Sequence, residues 1–274
     1  MSATTAFQPH AHVHSAHLRT HAHAHAHPHT SAASSAASAL PAHAIVLNWE
    51  DVLAPTTLLG QRVGLESSRQ ALQIAHAMLQ QDVYLQQALA GIEEQAIQLL
   101  TVAAAIGPVL IVTDKSLKYM EVTCAVFFPR LAAFLLQANM SSKMSLLSPA
   151  LHRIQVVAAT RRFASAAERA SWRASLVHSV CADLSAARGT ASSTPAAYAG
   201  SPTPFGVVAV SAVERDAETC VAIMQRCSPL ALPKCVQVAD PTSLSLEAFF
   251  AQLQTLQRYV GTAAAHAGAF ATQL

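Results

Sequence analysis

Five short apolar runs, each followed by a polar turn and a helix-length stretch, restrict what this chain can fold into. They are Ala44–Asn48 (AIVLN), Pro108–Thr113 (PVLIVT), Arg153–Ala159 (RIQVVAA), Phe205–Ser211 (FGVVAVS) and Lys234–Val238 (KCVQV). Runs of this length, rich in β-branched residues, are expected to be strands buried on both faces. Between them the spacing predicts helices over Glu66–Gln81, Val83–Ile106, Leu117–Ala138, Ser165–Ala187 and Arg215–Arg226. A last helix, Leu244–Val260, carries Leu246, Phe249, Phe250, Leu253, Leu256 and Val260 on one stripe. Pro129 is expected to bend or break its helix. Arg188–Pro204, rich in Gly, Ser, Thr and Pro, reads as a loop. The alternation predicts a three-layer α/β/α domain with a mainly parallel sheet. Right-handed crossovers would then bring the strand C-termini to one edge, with Asn48, Thr113, Thr160 and Ser211.

Composition bounds the rest. Of 274 residues, 52% are hydrophobic and 12% charged, which predicts a large core for the stretch 44–274. Residues 1–43 are different: His10, His12, His14, His17, His21, His23, His25, His27 and His29 alternate largely with Ala, and a Ser/Ala run follows. Such a tail has little to bury and is expected to be disordered. Its imidazoles are suited to Zn²⁺, Ni²⁺ or Cu²⁺, so a metal-binding protein run by the tail is one possible function. The net charge of +2 and the lack of a Lys/Arg run argue against nucleic acid.

The five cysteines form no C-x-x-C pair and most sit in apolar surroundings, as buried thiols of an intracellular, cytoplasmic protein would. The apolar stretch Ala96–Val112 is long enough for a membrane span, but Gln98, Thr101 and Gly107-Pro108 interrupt it. A helix ending near Ile106 and then a strand is expected instead, with no membrane partner. The N-terminus shows no basic region followed by an apolar core, hence no visible secretory signal. Within the domain, 66–106 is a helical segment that forms either a small cap or part of the packing on the sheet.

The candidate chemistry lies one piece per strand. Asn48 ends the first strand, Glu50 follows it, and Thr113 ends the second. Arg173 sits in the fourth predicted helix, and Glu214, Asp216 and Glu218 follow the fourth strand. A carboxylate attacker, a second acid, hydroxyls with a cation, and further carboxylates for Mg²⁺ are what phosphoryl transfer requires. Each residue also has an ordinary explanation. Thr56, Thr57 and Thr113 suit helix caps, Arg173 suits a solvated helix face, and the three acids suit a helix's first turn.

The segment Asn48-Trp49-Glu50-Asp51-Val52-Leu53-Ala54-Pro55-Thr56 resembles the first motif of the haloacid dehalogenase-like hydrolases, an apolar run followed by Asp-x-Asp-x-Thr/Val-Leu. With Val112-Thr113-Asp114, Pro241-Thr242 and Gln252-Leu253, it is similar to a divergent eukaryotic microbial branch of that superfamily, over about residues 44–260. The resemblance implies a Rossmann-like fold. It places Asn48 at the nucleophile, Glu50 at the acid, Thr113 and Arg173 at the phosphate, and Glu214, Asp216 and Glu218 at Mg²⁺.

The departures decide the expected function. Asn48 stands where the family has the attacking Asp, and a neutral amide is no substitute. Loss of a nucleophile costs roughly 10⁴–10⁶ in rate. Glu50 is one methylene longer than the family's Asp, Arg173 replaces a Lys, and Val213 replaces a Gly. Asp51 is expected to face away from Asn48, an odd offset along extended chain. A catalytically degenerate phosphatase fold is therefore expected. It would keep a binding or scaffolding role towards a protein or a phosphorylated ligand, with Mg²⁺ binding weakened. The alternative is an atypical Mg²⁺-dependent phosphohydrolase.

Overall fold

The computed structural model describes residues 43–141, 154–190, 204–212, 222–226 and 229–274. The His-rich tail, the three acids Glu214, Asp216 and Glu218, Val213, and most of the predicted 188–204 loop and 215–226 helix lie outside them.

Six parallel strands form one sheet in the order β3-β2-β1-β4-β5-β6. They are β1 (His43–Asn48), β2 (Val109–Thr113), β3 (Ile154–Ala158), β4 (Phe205–Ser211), β5 (Ala231–Gln237) and β6 (Phe270–Gln273). β1 lies between β2 and β4, with Asn48 beside Val112 and Leu47 beside Val210. β6 was not expected. Its FATQ sequence is four residues long with alternating partial burial, too short and too mixed to read as a buried run. β5 starts at Ala231, three residues before the predicted Lys234.

Helices cover both faces of the sheet. On one, α3 (Val83–Ile106) and α7 (Leu246–Ala265) pack together over β1, β2 and β4. α3 places Leu85, Leu89, Ile92, Ala96, Leu99 and Ala103 in this core, so it packs on the sheet. α7 buries Leu246, Phe249, Leu253, Leu256 and Val260 of the predicted stripe, while Phe250 is half-buried. α2 (Arg69–Gln81) lies outside, burying only Ala75 and Leu79. α3 is the one described helix long and apolar enough to cross a membrane, and 44% of its apolar window is buried within the fold. It ends at Gly107, where the next strand begins almost at once. A β-carbon there would lie 2.0 Å from the His43 carbonyl oxygen, so only glycine permits this approach of α3's end to β1.

The other face carries α6 (Ala166–Thr190) and helical residues 222–226. Val177, Val180, Cys181 and Leu184 meet Ala44, Phe205, Val207 and Ala231 there. The alternation of β4 explains the division: Phe205 and Val207 face α6, whereas Val208 and Val210 face α3 and α7. α6 continues to Thr190, three residues into the stretch read as loop.

Pro129 does break its helix. α4 (Leu117–Phe127) ends at Phe128 and α5 (Pro129–Ser141) starts on the proline, whose missing N–H costs nothing at a helix's first position. Buried Glu93 of α3 accepts from the Leu131 N–H at 2.8 Å, satisfying one of the donors that α5's first turn leaves without a helical partner. Cys124 is a buried free thiol whose pKa burial pushes up to about 12, which leaves it unreactive.

Candidate functional site

The chain runs outward from β1 to β2 and β3, then returns to β4 beside β1. In such sheets the carboxyl ends of the two strands flanking the reversal bound the crevice where ligands sit. Here those ends are Asn48 and Ser211. Asn48 Nδ2 donates to Ser211 Oγ at 2.8 Å, a buried hydrogen bond that spans the reversal point. Thr113, also buried, ends the neighbouring strand.

Asn48 is held from its other end too. Arg173 Nη1 donates to Asn48 Oδ1 at 2.5 Å. The same guanidinium reaches Asp114, with Nε at 3.1 Å and Nη2 at 2.8 Å from Oδ1. Arg169, one turn earlier in α6, donates through Nε to Asp114 Oδ2. Two arginines at i and i+4 on one helix thus converge on one carboxylate, each taking a different oxygen. These side chains are only 11–19% exposed, which strengthens the pairing relative to a surface ion pair.

Glu50 lies beyond β1, past buried Trp49, which packs edge-on against Phe128. Thr113 Oγ1 donates to Glu50 Oε1, and the Asp114 N–H donates to Oε2 at 3.3 Å. Thr113 Oγ1 also accepts from the Lys115 N–H at 3.1 Å. Burial raises the Glu50 pKa above its ordinary value, with the nearby Asp114 charge adding to the rise and the Thr113 hydroxyl opposing it.

The structure therefore brings four predicted residues, Asn48, Glu50, Thr113 and Arg173, to one edge. Asp114 links the two halves, through its carboxylate to Arg173 and its N–H to Glu50. Thr160 lies beyond the end of β3 and is exposed, apart from the network. Asp114 and Arg169 were not singled out from the sequence. The four-residue spacing of Arg169 and Arg173 was the available signal, since it sets both on one helix face.

Asp51 has a local role. It adopts φ 59°, in the left-handed region. Its carboxylate accepts from the Thr57 N–H at 2.8 Å, the Thr57 hydroxyl at 2.7 Å and the Thr56 hydroxyl at 3.2 Å. These bonds hold the start of α1 (Thr56–Val63), a helix not assigned from the sequence.

Two spaces adjoin this network. A small enclosed pocket of about 30 Å³, lined by Val46, Asn48, Arg173, Val177, Ala209 and Ser211, has room for little more than a water. An open cleft of about 530 Å³ is lined by Glu50, Asp51, Asp114, Lys115, Tyr119 and Arg169 among others. Burial raises the Tyr119 pKa as well.

The described residues do not fit Mg²⁺. No group of three His, Cys, Asp or Glu side chains among them is arranged to hold a metal ion. The Asn48 oxygen and both Asp114 oxygens already accept from arginine, so cationic donors take up the oxygens a hard cation would need. Glu214, Asp216 and Glu218 lie outside the described residues. The fold and site define an α/β protein with a polar network at the carboxyl edge of a parallel sheet. No family model, no curated protein and no solved structure matches the chain.

Proposed function

We propose that this chain is a catalytically degenerate member of the haloacid dehalogenase-like fold, acting by binding or scaffolding rather than by hydrolysing phosphate esters. The observation that carries this is the state of Asn48. The residue at the attacking position is a neutral amide, its nitrogen donating to Ser211 and its oxygen capped by Arg173. An amide oxygen with a guanidinium on it lacks the negative charge needed to strike phosphorus. The kinship is supported by the position of β1. It is flanked by the strands that end at Thr113 and Ser211, as a shared site built from Asn48, Glu50, Thr113 and Arg173 requires. The partner is a protein or a phosphorylated ligand that meets the carboxyl edge of the sheet.

Covalent trapping tests this. The full chain is incubated with a reactive acyl phosphate in Mg²⁺ buffer, quenched in acid and weighed by mass spectrometry. An unmodified chain is expected. A phosphorylated chain whose label disappears in Asn48→Ala would overturn the proposal.

A further inference from the structure

We infer that Arg169 and Arg173 form an oxyanion clamp whose resident anion is the chain's own Asp114 carboxylate. The site then takes a phosphate- or sulfate-type group only once Asp114 is neutralised or displaced. This stands on the side-chain geometry and does not need the family kinship.

The clamp has the parts an oxyanion site needs. Arg169 Nε meets one Asp114 oxygen, while Arg173 Nε and Nη2 meet the other. Arginine donors in this arrangement suit phosphate and carboxylate alike, because both present closely spaced anionic oxygens. Asp114 is the first residue past β2, at the edge where ligands of open parallel sheets bind. The clamp is also reachable. Asp114 and Arg169 line the open cleft together with Lys115, while Arg173 lies against the enclosed pocket behind them, so an anion arriving from solvent meets the Arg169 guanidinium first. Asn48 Oδ1 fixes the far end of Arg173, which keeps the guanidinium oriented towards the cleft residue it holds.

A tethered carboxylate outcompetes a free ion at ordinary concentrations. It is already positioned, so its effective concentration lies far above the millimolar level of dissolved phosphate. Asp114→Asn keeps the side chain's shape and removes its charge. The donors then face a weak neutral acceptor in place of an ion, and a dianion becomes the better partner.

Calorimetric titration of the full-length protein with inorganic phosphate, at neutral pH and constant ionic strength, tests the inference. Wild type is expected to show no saturable uptake. Asp114→Asn is expected to bind one phosphate at least ~30-fold more tightly, the gain of about one charge-assisted hydrogen bond. Adding Arg173→Gln to that variant should abolish the uptake, and sulfate should compete. A folded Asp114→Asn that binds no better than wild type overturns the inference. So does saturable binding in wild type that Arg173→Gln removes, since it shows an open clamp. Should Asp114→Asn not fold by circular dichroism, Asp114→Ser takes its place, and the wild-type titration decides by the same criterion. Failure here leaves the trapping result untouched, because phosphate binding and Asn48 phosphorylation are read separately.

Discussion

Arg173 Nη1 sits 2.5 Å from Asn48 Oδ1, placing a cation of α6 directly on the amide that ends the central strand. The contact ties one helical layer to the sheet at the point where the chain reverses. It also takes up the oxygen that an attacking carboxylate would have presented.

That tie should be visible in stability. Arg173→Met removes the Asn48 contact and both Asp114 contacts while Arg169 remains on Asp114. A loss of about 2–3 kcal/mol is expected from breaking a largely buried charged pair. Arg173→Lys should recover less than half of it, because a point ammonium cannot reach Asn48 and Asp114 together. Urea unfolding of the three proteins measures this, and a Lys variant as stable as wild type would show that charge alone suffices.

Glu50 gives a pH-dependent expectation. Burial raises its folded pKa above the ordinary 4.5. The folded protein therefore holds the proton more tightly than the unfolded chain. Wild type keeps this advantage below the ordinary value and loses it as pH rises through the raised folded pKa. Glu50→Gln removes the ionisation. Its stability relative to wild type should be unchanged by pH in acid and should climb as pH rises towards neutrality. Thermal unfolding across that range checks the sign, and a relative stability that falls with pH would contradict the burial argument.

Asp51 is expected to matter for folding and not for chemistry. Asp51→Ala deletes three hydrogen bonds at the start of α1 and leaves a β-carbon at φ 59° without the compensation of a side-chain acceptor. The cost should be about 1–2 kcal/mol, as for other helix-start acceptors. Asp51→Gly should cost less than Asp51→Ala, since glycine takes a positive φ without strain. Equilibrium denaturation separates them, and the reverse order would show that the backbone at 51 is unstrained.

Much of the architecture was legible because its signals are local. Val83–Ile106 and Phe205–Ser211 appear at the predicted bounds, the first set off by Gly107-Pro108 and the second an unbroken apolar run. Pro129 announced the break between α4 and α5. α1 was missed since Thr56 and Thr57 are legible only as capping residues, and what holds them at a helix start is a carboxylate five and six residues earlier. β6 was missed because pairing with β5, not its own sequence, makes FATQ a strand. The site shows the same limit. Asn48, Glu50, Thr113 and Arg173 were readable in order along the chain. Asp114 as the residue joining them was not, because its partners lie 55 and 59 positions away.

The most direct measurement is steady-state hydrolysis of an aryl phosphate by the purified full-length protein in Mg²⁺, alongside Glu50→Gln. A strand-end amide held by Ser211 and Arg173 should give the same background rate in both proteins. Wild-type turnover that collapses in Glu50→Gln would show a working phosphohydrolase and would contradict a disarmed site.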